Sequence, residues 1–216
     1  MCTGLYTHGA ILAALQSRHT TGKGCKIDTS LFETQISLMS NVATTWLNMG
    51  VEAQRWGNGH PSIVPYDAFQ TSDSWLVLGA VNDAQFKKLC KLLKCEHLLE
   101  DERYKKNEDR VAHRDELMPV IQEIFKEKSN EQWMAILEGS GMPYGPINTV
   151  QGAFEHPQVD AREMVGEVGD EDAVDGSVKM PGMPVKFGGY SQQMKRSPKL
   201  GEHTEEVLAE LKNRKT

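Results

Sequence analysis

The sequence predicts an α/β chain, and three observations carry that expectation. The first 50 residues follow a helix–strand–helix rhythm of the kind seen in parallel-sheet domains. After residue 65, two short apolar segments flank a polar turn, the pattern of a β-hairpin. Three segments of helical periodicity follow, so the middle of the chain reads as a separate α+β unit.

The elements follow in order. Leu5, His8, Ile11, Leu12 and Leu15 recur at helical spacing, which predicts a helix from about Leu5 to Arg18. Thr20-Thr21-Gly22-Lys23-Gly24 stops it as a turn, and Cys25 to Asp28 reads as a short strand. Ser30 and Glu33 have the spacing of a capping box, with Thr29 or Ser30 as the cap. The helix they open runs from about Leu31 to Met49 and is apolar over so much of its surface that it is expected to be largely buried. Arg55 to Tyr66 holds two glycines, two prolines and an Asn, which exclude regular structure.

Ala68 to Thr71 and Trp75 to Gly79 are the hairpin strands around Ser72-Asp73-Ser74. Helices are expected over about Asp83 to Leu93, Val111 to Lys126 and Asn130 to Glu138, the last capped by Ser129 or Asn130. Glu100 to Asp109 is strongly charged and reads as a solvated connection. Gly139 to Pro146 is a second loop rich in Gly and Pro. A short helix near Thr149 to Phe154 precedes strands near Met164 to Val168 and Val178 to Met180, with an acidic turn between them. The last helix begins near Thr204, where Glu205 and Glu206 favour the helix dipole.

Composition narrows the function classes. A chain of 216 residues buries a sizeable core without disulfides or metals. A net charge of -6 argues against sequence-independent nucleic-acid binding, which needs clustered Lys and Arg to displace counterions. No run approaches the length of a membrane span, and no signal peptide is visible. Of the four cysteines, Cys90 lies on the apolar face of an amphipathic helix and reads as a small core residue rather than half of a metal site with Cys95. His97, His113 and His156 are scattered and lack metal-ligand spacing. No Walker loop, Gly-x-Ser-x-Gly elbow or Cys-x-x-Cys pair occurs.

Five stretches carry a more specific signal. They are Thr3-Gly4-Leu5-Tyr6 through Gly24 into Ile27-Asp28-x-Ser30-Leu31; Gly57-Asn58-Gly59-His60-Pro61-Ser62-Ile63-Val64-Pro65-Tyr66; Tyr144-Gly145-Pro146-Ile147; His156-Pro157-Gln158-Val159; and Leu200-Gly201-Glu202-His203-Thr204. In this order and spacing they resemble the class III CoA-transferase family, and specifically its C-terminal half. Arg55-Trp56-Gly57 and Glu138 to Asn148 are most similar to the mitochondrial members that use dicarboxylates.

The resemblance implies a fold in which the two chain ends build a Rossmann-like large domain around a small α+β domain. For this chain it implies part of the large domain at 1–55, then the glycine loop, small domain and linkers at 56–190, and a C-terminal helix at 191–216 returning to the large domain. It implies an interlocked homodimer and a mitochondrial setting, with the cytoplasm as the alternative. It implies acyl-CoA and dicarboxylate substrates, coenzyme A as substrate rather than cofactor, no metal, no nucleic acid and no membrane. Family members attack the acyl-CoA thioester with an aspartate, and covalent catalysis splits one hard exchange into easier steps. The family pattern puts that aspartate upstream of Thr3-Gly4-Leu5-Tyr6, so no catalytic residue is expected within this chain. A silent truncated paralogue, acting as a dimerisation or binding module, is the alternative reading.

Gly57, Asn58, Gly59 and His60 are the candidate substrate-binding residues. Glycines let a backbone approach a ligand closely, and Asn and His donate hydrogen bonds to a carboxylate or oxyanion. Aligned on the proline, His60 falls where relatives with a mobile glycine-rich loop carry Gln, although this loop holds fewer glycines. A tight interdomain turn is the plainer alternative. The other candidates read as structural. His8 reads as a satisfied core histidine, Asp28 as a turn or capping residue and His203 as part of a helix start capped by Thr204. Lys87, Lys88, Lys91 and Lys94 read as a solvated basic face.

Overall fold

The structure, a computed structural model, describes residues 1–189 and 194–213. It divides into two units, Met1–Ile63 and Val64–Thr216. The expected boundary between residues 190 and 191 lies outside the described residues.

The first unit holds three helices: α1 (Cys2–Thr21), α2 (Leu31–Leu38) and α3 (Ser40–Met49). Gly22 ends α1 in the left-handed region at φ 72° and donates its N–H to the Arg18 carbonyl, the expected role of glycine there. Ser30 caps α2 by accepting the Glu33 N–H at 3.1 Å, and its hydroxyl donates to the Glu33 carboxylate at 2.7 Å. Two expectations fail in this unit. Cys25 to Asp28 forms no strand, because a strand exists through its ladder and no neighbour pairs with it among the described residues. The single helix expected from Leu31 to Met49 is interrupted at Met39, next to Ser40, whose φ of 42° lies in the left-handed region.

Burial fails as well. Neither α1 nor α3 has a buried residue, and Leu31, Phe32 and Leu47 are 77%, 74% and 72% exposed. Periodicity shows which face of a helix suits a core; it does not supply the core. Nothing within the first unit lies over these faces. His8 is exposed with its helix, so it is no core histidine.

The second unit has a core of its own. Strands β1 (Tyr66–Gln70), β2 (Trp75–Gly79) and β3 (Tyr144–Pro146) form an antiparallel sheet in that order, with Ala68 opposite Val77 and Leu78 opposite Tyr144. Leu76 and Leu78 point inward and Trp75 outward, as the period of two demands. β3 replaces part of the loop expected over Gly139 to Pro146. A strand containing Gly and Pro is tolerated because it lies at the sheet edge and Pro146 ends it.

Helices α4 (Asp83–Leu92), α5 (Asn107–Ala112), α6 (Arg114–Phe125) and α7 (Asn130–Leu137) cover the sheet. The rings of Phe69 and Phe125 stack at 4.7 Å, and Phe125 meets Trp133 at 4.9 Å, which ties sheet to helices. The Trp133 indole N–H donates to the Phe125 carbonyl at 2.8 Å, so burial leaves it satisfied. Ser129 and Gln132 form a complete capping box on α7. On the free edge of β1, the Gln122 amide both donates to and accepts from the Gln70 backbone, standing in for a neighbouring strand.

The segment from Glu100 to Asp109 exposes most of its charged residues, as its reading as a solvated connection expects, but it is also tied to the core. Tyr104 is buried, and the Asn107 side chain accepts the Val64 N–H at 3.1 Å. The helix expected from Val111 begins instead at Asn107 and is interrupted at His113. Further along come α8 (Val150–Phe154), α9 (Pro157–Ala161), a hairpin of β4 (Val165–Gly169) and β5 (Ser177–Pro181), and α10 (Thr204–Asn213).

Candidate functional site

The Gly57–His60 loop is built by two short-range devices. The Gly59 N–H donates to the Trp56 carbonyl at 3.0 Å, closing a tight turn. Gly57 lies within that turn at φ 62°, and a side-chain carbon there would meet nothing within 4 Å. Its need for glycine is therefore conformational rather than steric within this chain. Asn58 is exposed at the turn, while Gly59 and His60 are half-buried.

His60 is oriented by Ser62. Its Nδ1 accepts the Ser62 backbone N–H at 3.1 Å and lies 3.4 Å from the Ser62 hydroxyl. A ring nitrogen that accepts carries no proton, so in the neutral imidazole the proton sits on Nε2. The loop thus presents two kinds of donor, the Asn58 amide and the His60 Nε2–H. Together they suit a carboxylate or a developing oxyanion. Ser62 stood in the sequence motif with no role assigned to it. Its position two residues after a histidine, where a ring nitrogen mimics a turn carbonyl, was the available signal.

Val64, where the second unit begins, is anchored by a residue that the sequence did not single out. Arg110 is 0% exposed. Its guanidinium donates to the Val64 carbonyl at 2.7 Å, to the Tyr104 carbonyl at 3.0 Å and to Asp83 Oδ1 at 2.9 Å. It also lies 4.3 Å above the Phe86 ring. A buried arginine needs its donors satisfied, and here it ties the start of the second unit to Tyr104 and Asp83.

Most of the other sequence candidates have local structural partners. His203 accepts the Val207 N–H through its carbonyl, so it occupies the cap position of α10, and Thr204 is the first helical residue rather than the cap. Arg196 donates to the Glu202 carboxylate, which also accepts the Lys199 N–H at 2.6 Å. The Arg196 guanidinium and then that N–H hold the Glu202 carboxyl down at about 2, too acidic for a base at neutral pH. His156 caps α9 by accepting the Gln158 N–H at 3.1 Å, and the His113 ring sits against the Asp109 carbonyl at 2.8 Å. Asp28 is exposed and caps nothing, since Ser30 does so. Lys88 is not simply solvated: its ammonium donates to the carbonyls of Gly139 at 3.0 Å and Ser140 at 2.6 Å.

Comparisons with known proteins agree on one description. The family model for CoA-transferase family III matches residues 1–204. An acyl-CoA transferase of Fusarium pseudograminearum is 50% identical over 98% of this chain and 46% of its own length. The succinyl-CoA:glutarate CoA-transferase of Homo sapiens is 41% identical over 98% of this chain and 48% of its own length. The crystal structure of a CAIB/BAIF family protein from Brucella suis superposes with a TM-score of 0.80 at 38% identity, covering 98% of this chain and 54% of that one. The chain thus spans about half the length of the curated relatives it matches.

Proposed function

Because the chain belongs to CoA-transferase family III, we propose that it is the C-terminal part of an enzyme that moves CoA from an acyl-CoA such as succinyl-CoA to a dicarboxylate. The observation that carries this reading is the loop geometry. Asn58 and an Nε2-protonated His60 offer two donors to a carboxylate from a turn with open space around Gly57. The relative named a succinyl-CoA:glutarate CoA-transferase supplies the substrate class. The chemistry runs through an aspartyl intermediate whose aspartate lies outside these 216 residues, and the Gly57–His60 loop binds the carboxylate side of the exchange. The working form is an interlocked homodimer in mitochondria, on the same family resemblance.

A chimera tests this reading. Residues 1–216 replace the aligned half of the 50%-identical relative, and CoA transfer from succinyl-CoA to glutarate is followed by chromatography. Transfer is expected from the chimera and none from the 216-residue chain alone. Replacing both Asn58 and His60 with Ala is expected to raise KM for the carboxylate about tenfold or more, since a hydrogen bond to a charged group contributes about 1.5–3 kcal/mol. A soluble chimera that transfers CoA to no dicarboxylate overturns the proposal. Transfer by the chain alone overturns the placement of the aspartate.

One observation favours a second reading. The bare apolar faces of α1, α2 and α3 suit a binding module that pairs with a full-length relative. Co-elution of the chain with such a relative, without gain of transferase activity, would support that reading, and a chain that elutes alone would sink it.

A further inference from the structure

Two buried cysteines, Cys90 and Cys95, flank the end of α4. The Cys95 N–H donates to the Cys90 carbonyl at 2.8 Å across Lys94, which sits in the left-handed region at φ 58°. This is the six-to-one bond of a Schellman motif, whose geometry brings the side chains of its first and last residues together. Here both are cysteines, so the backbone bond brings two thiol-bearing side chains together within the core. The two residues are 1% and 2% exposed, yet Cys95 forms part of the wall of a cavity of about 820 Å³ and Cys90 does not. Lys91, Lys94 and Lys128 line that cavity with it.

We propose that Cys90 and Cys95 form a redox-active pair that a peroxide closes to an intramolecular disulfide. The asymmetry assigns the roles. Cys95 lines the cavity among three lysines and Cys90 does not, so Cys95 is the sulfur a peroxide meets first, and the neighbouring Cys90 thiol lowers its pKa. The cavity that Cys95 lines is wide enough for a molecule as small as hydrogen peroxide. The thiolate attacks one peroxide oxygen, the O–O bond breaks, hydroxide leaves and Cys95 becomes a sulfenic acid. The Cys90 sulfur then attacks the Cys95 sulfur and the S–O bond breaks. The departing hydroxide takes the Cys90 proton and leaves as water. The pair loses two electrons and the peroxide gains two. The backbone bond already holds the two residues close, and the sulfurs close to about 2.05 Å in the disulfide.

The test treats the folded chain with hydrogen peroxide, blocks the remaining thiols and digests with trypsin. Exposed Cys2 and Cys25 serve as internal references. Cleavage after Lys88, Lys91, Lys94 and Arg103 separates the two cysteines, so a disulfide joins the peptide 89–91 to the peptide 95–103 with loss of two hydrogens. That linked peptide is expected to appear before Cys2 or Cys25 is oxidised, and to vanish on reduction. In Cys90→Ser the reaction is expected to stop at a sulfenic acid on Cys95 that dimedone traps. In Cys95→Ser no adduct is expected on Cys90. Blocked, unoxidised Cys90 and Cys95 beside oxidised Cys2 and Cys25 overturn the proposal. So does over-oxidation of Cys95 without the link, in the unsubstituted chain and needing no variant to fold.

Discussion

Arg110 shows how one side chain can hold three parts of a structure. Three of its donors, on Nε, Nη1 and Nη2, face two carbonyls and a carboxylate from separate segments, a pattern that a planar fork satisfies and an ammonium does not. Arg110→Ala is expected to destabilise the chain by about 3 kcal/mol or more, because it strands the buried Val64 and Tyr104 carbonyls and opens a cavity. Arg110→Lys is expected to recover less than half of that. Urea unfolding followed by tryptophan fluorescence measures both, and a loss under 1 kcal/mol for Arg110→Ala would contradict the anchoring role. The sequence concealed this residue. Among Glu108, Asp109 and Arg114 it looks like one more surface charge, and its partners lie up to 46 residues away. Gly57 and Ser30 were legible because turn and cap chemistry is decided within a few residues.

At the scale of elements, local signals carried through wherever the partner was local too. The β1–β2 hairpin, the Ser129 cap and the β4–β5 hairpin all close over short separations. Elements that depend on a distant neighbour were misread. β3 is a strand only because β2 lies beside it, and the Cys25 to Asp28 segment is not one because nothing does. The start of α10 offers a measurable case. Glu202 has its carboxyl depressed in the folded chain, so the tether to Arg196 and the Lys199 N–H is present above the ordinary value of 4.5. It is lost as pH falls toward about 2. The amide proton shift of Lys199 is expected to titrate with a midpoint near 2 and to lose that titration in Glu202→Gln. A midpoint near 4.5 would show that the pair does not form.

At the scale of the whole molecule, exposed apolar surface decides. Much of it belongs to α1, α2 and α3, whose hydrophobic spacing was legible while the exposure of Leu31, Phe32 and Leu47 was not. The isolated chain is therefore expected to bind a hydrophobic dye and to self-associate at micromolar concentration. Replacing Phe32 and Leu47 with Glu is expected to reduce both, as followed by fluorescence and sedimentation velocity. A wild-type chain that sediments as a monomer without dye binding would contradict the exposure of these faces. The bare helices also bear on the life of the chain in a cell. A polypeptide that shows Leu31, Phe32 and Leu47 to solvent is a ready client for chaperones and proteases. Its steady-state level would then follow the supply of whatever shields those helices rather than its own rate of synthesis, so gene dosage of the shielding partner becomes the control on its abundance.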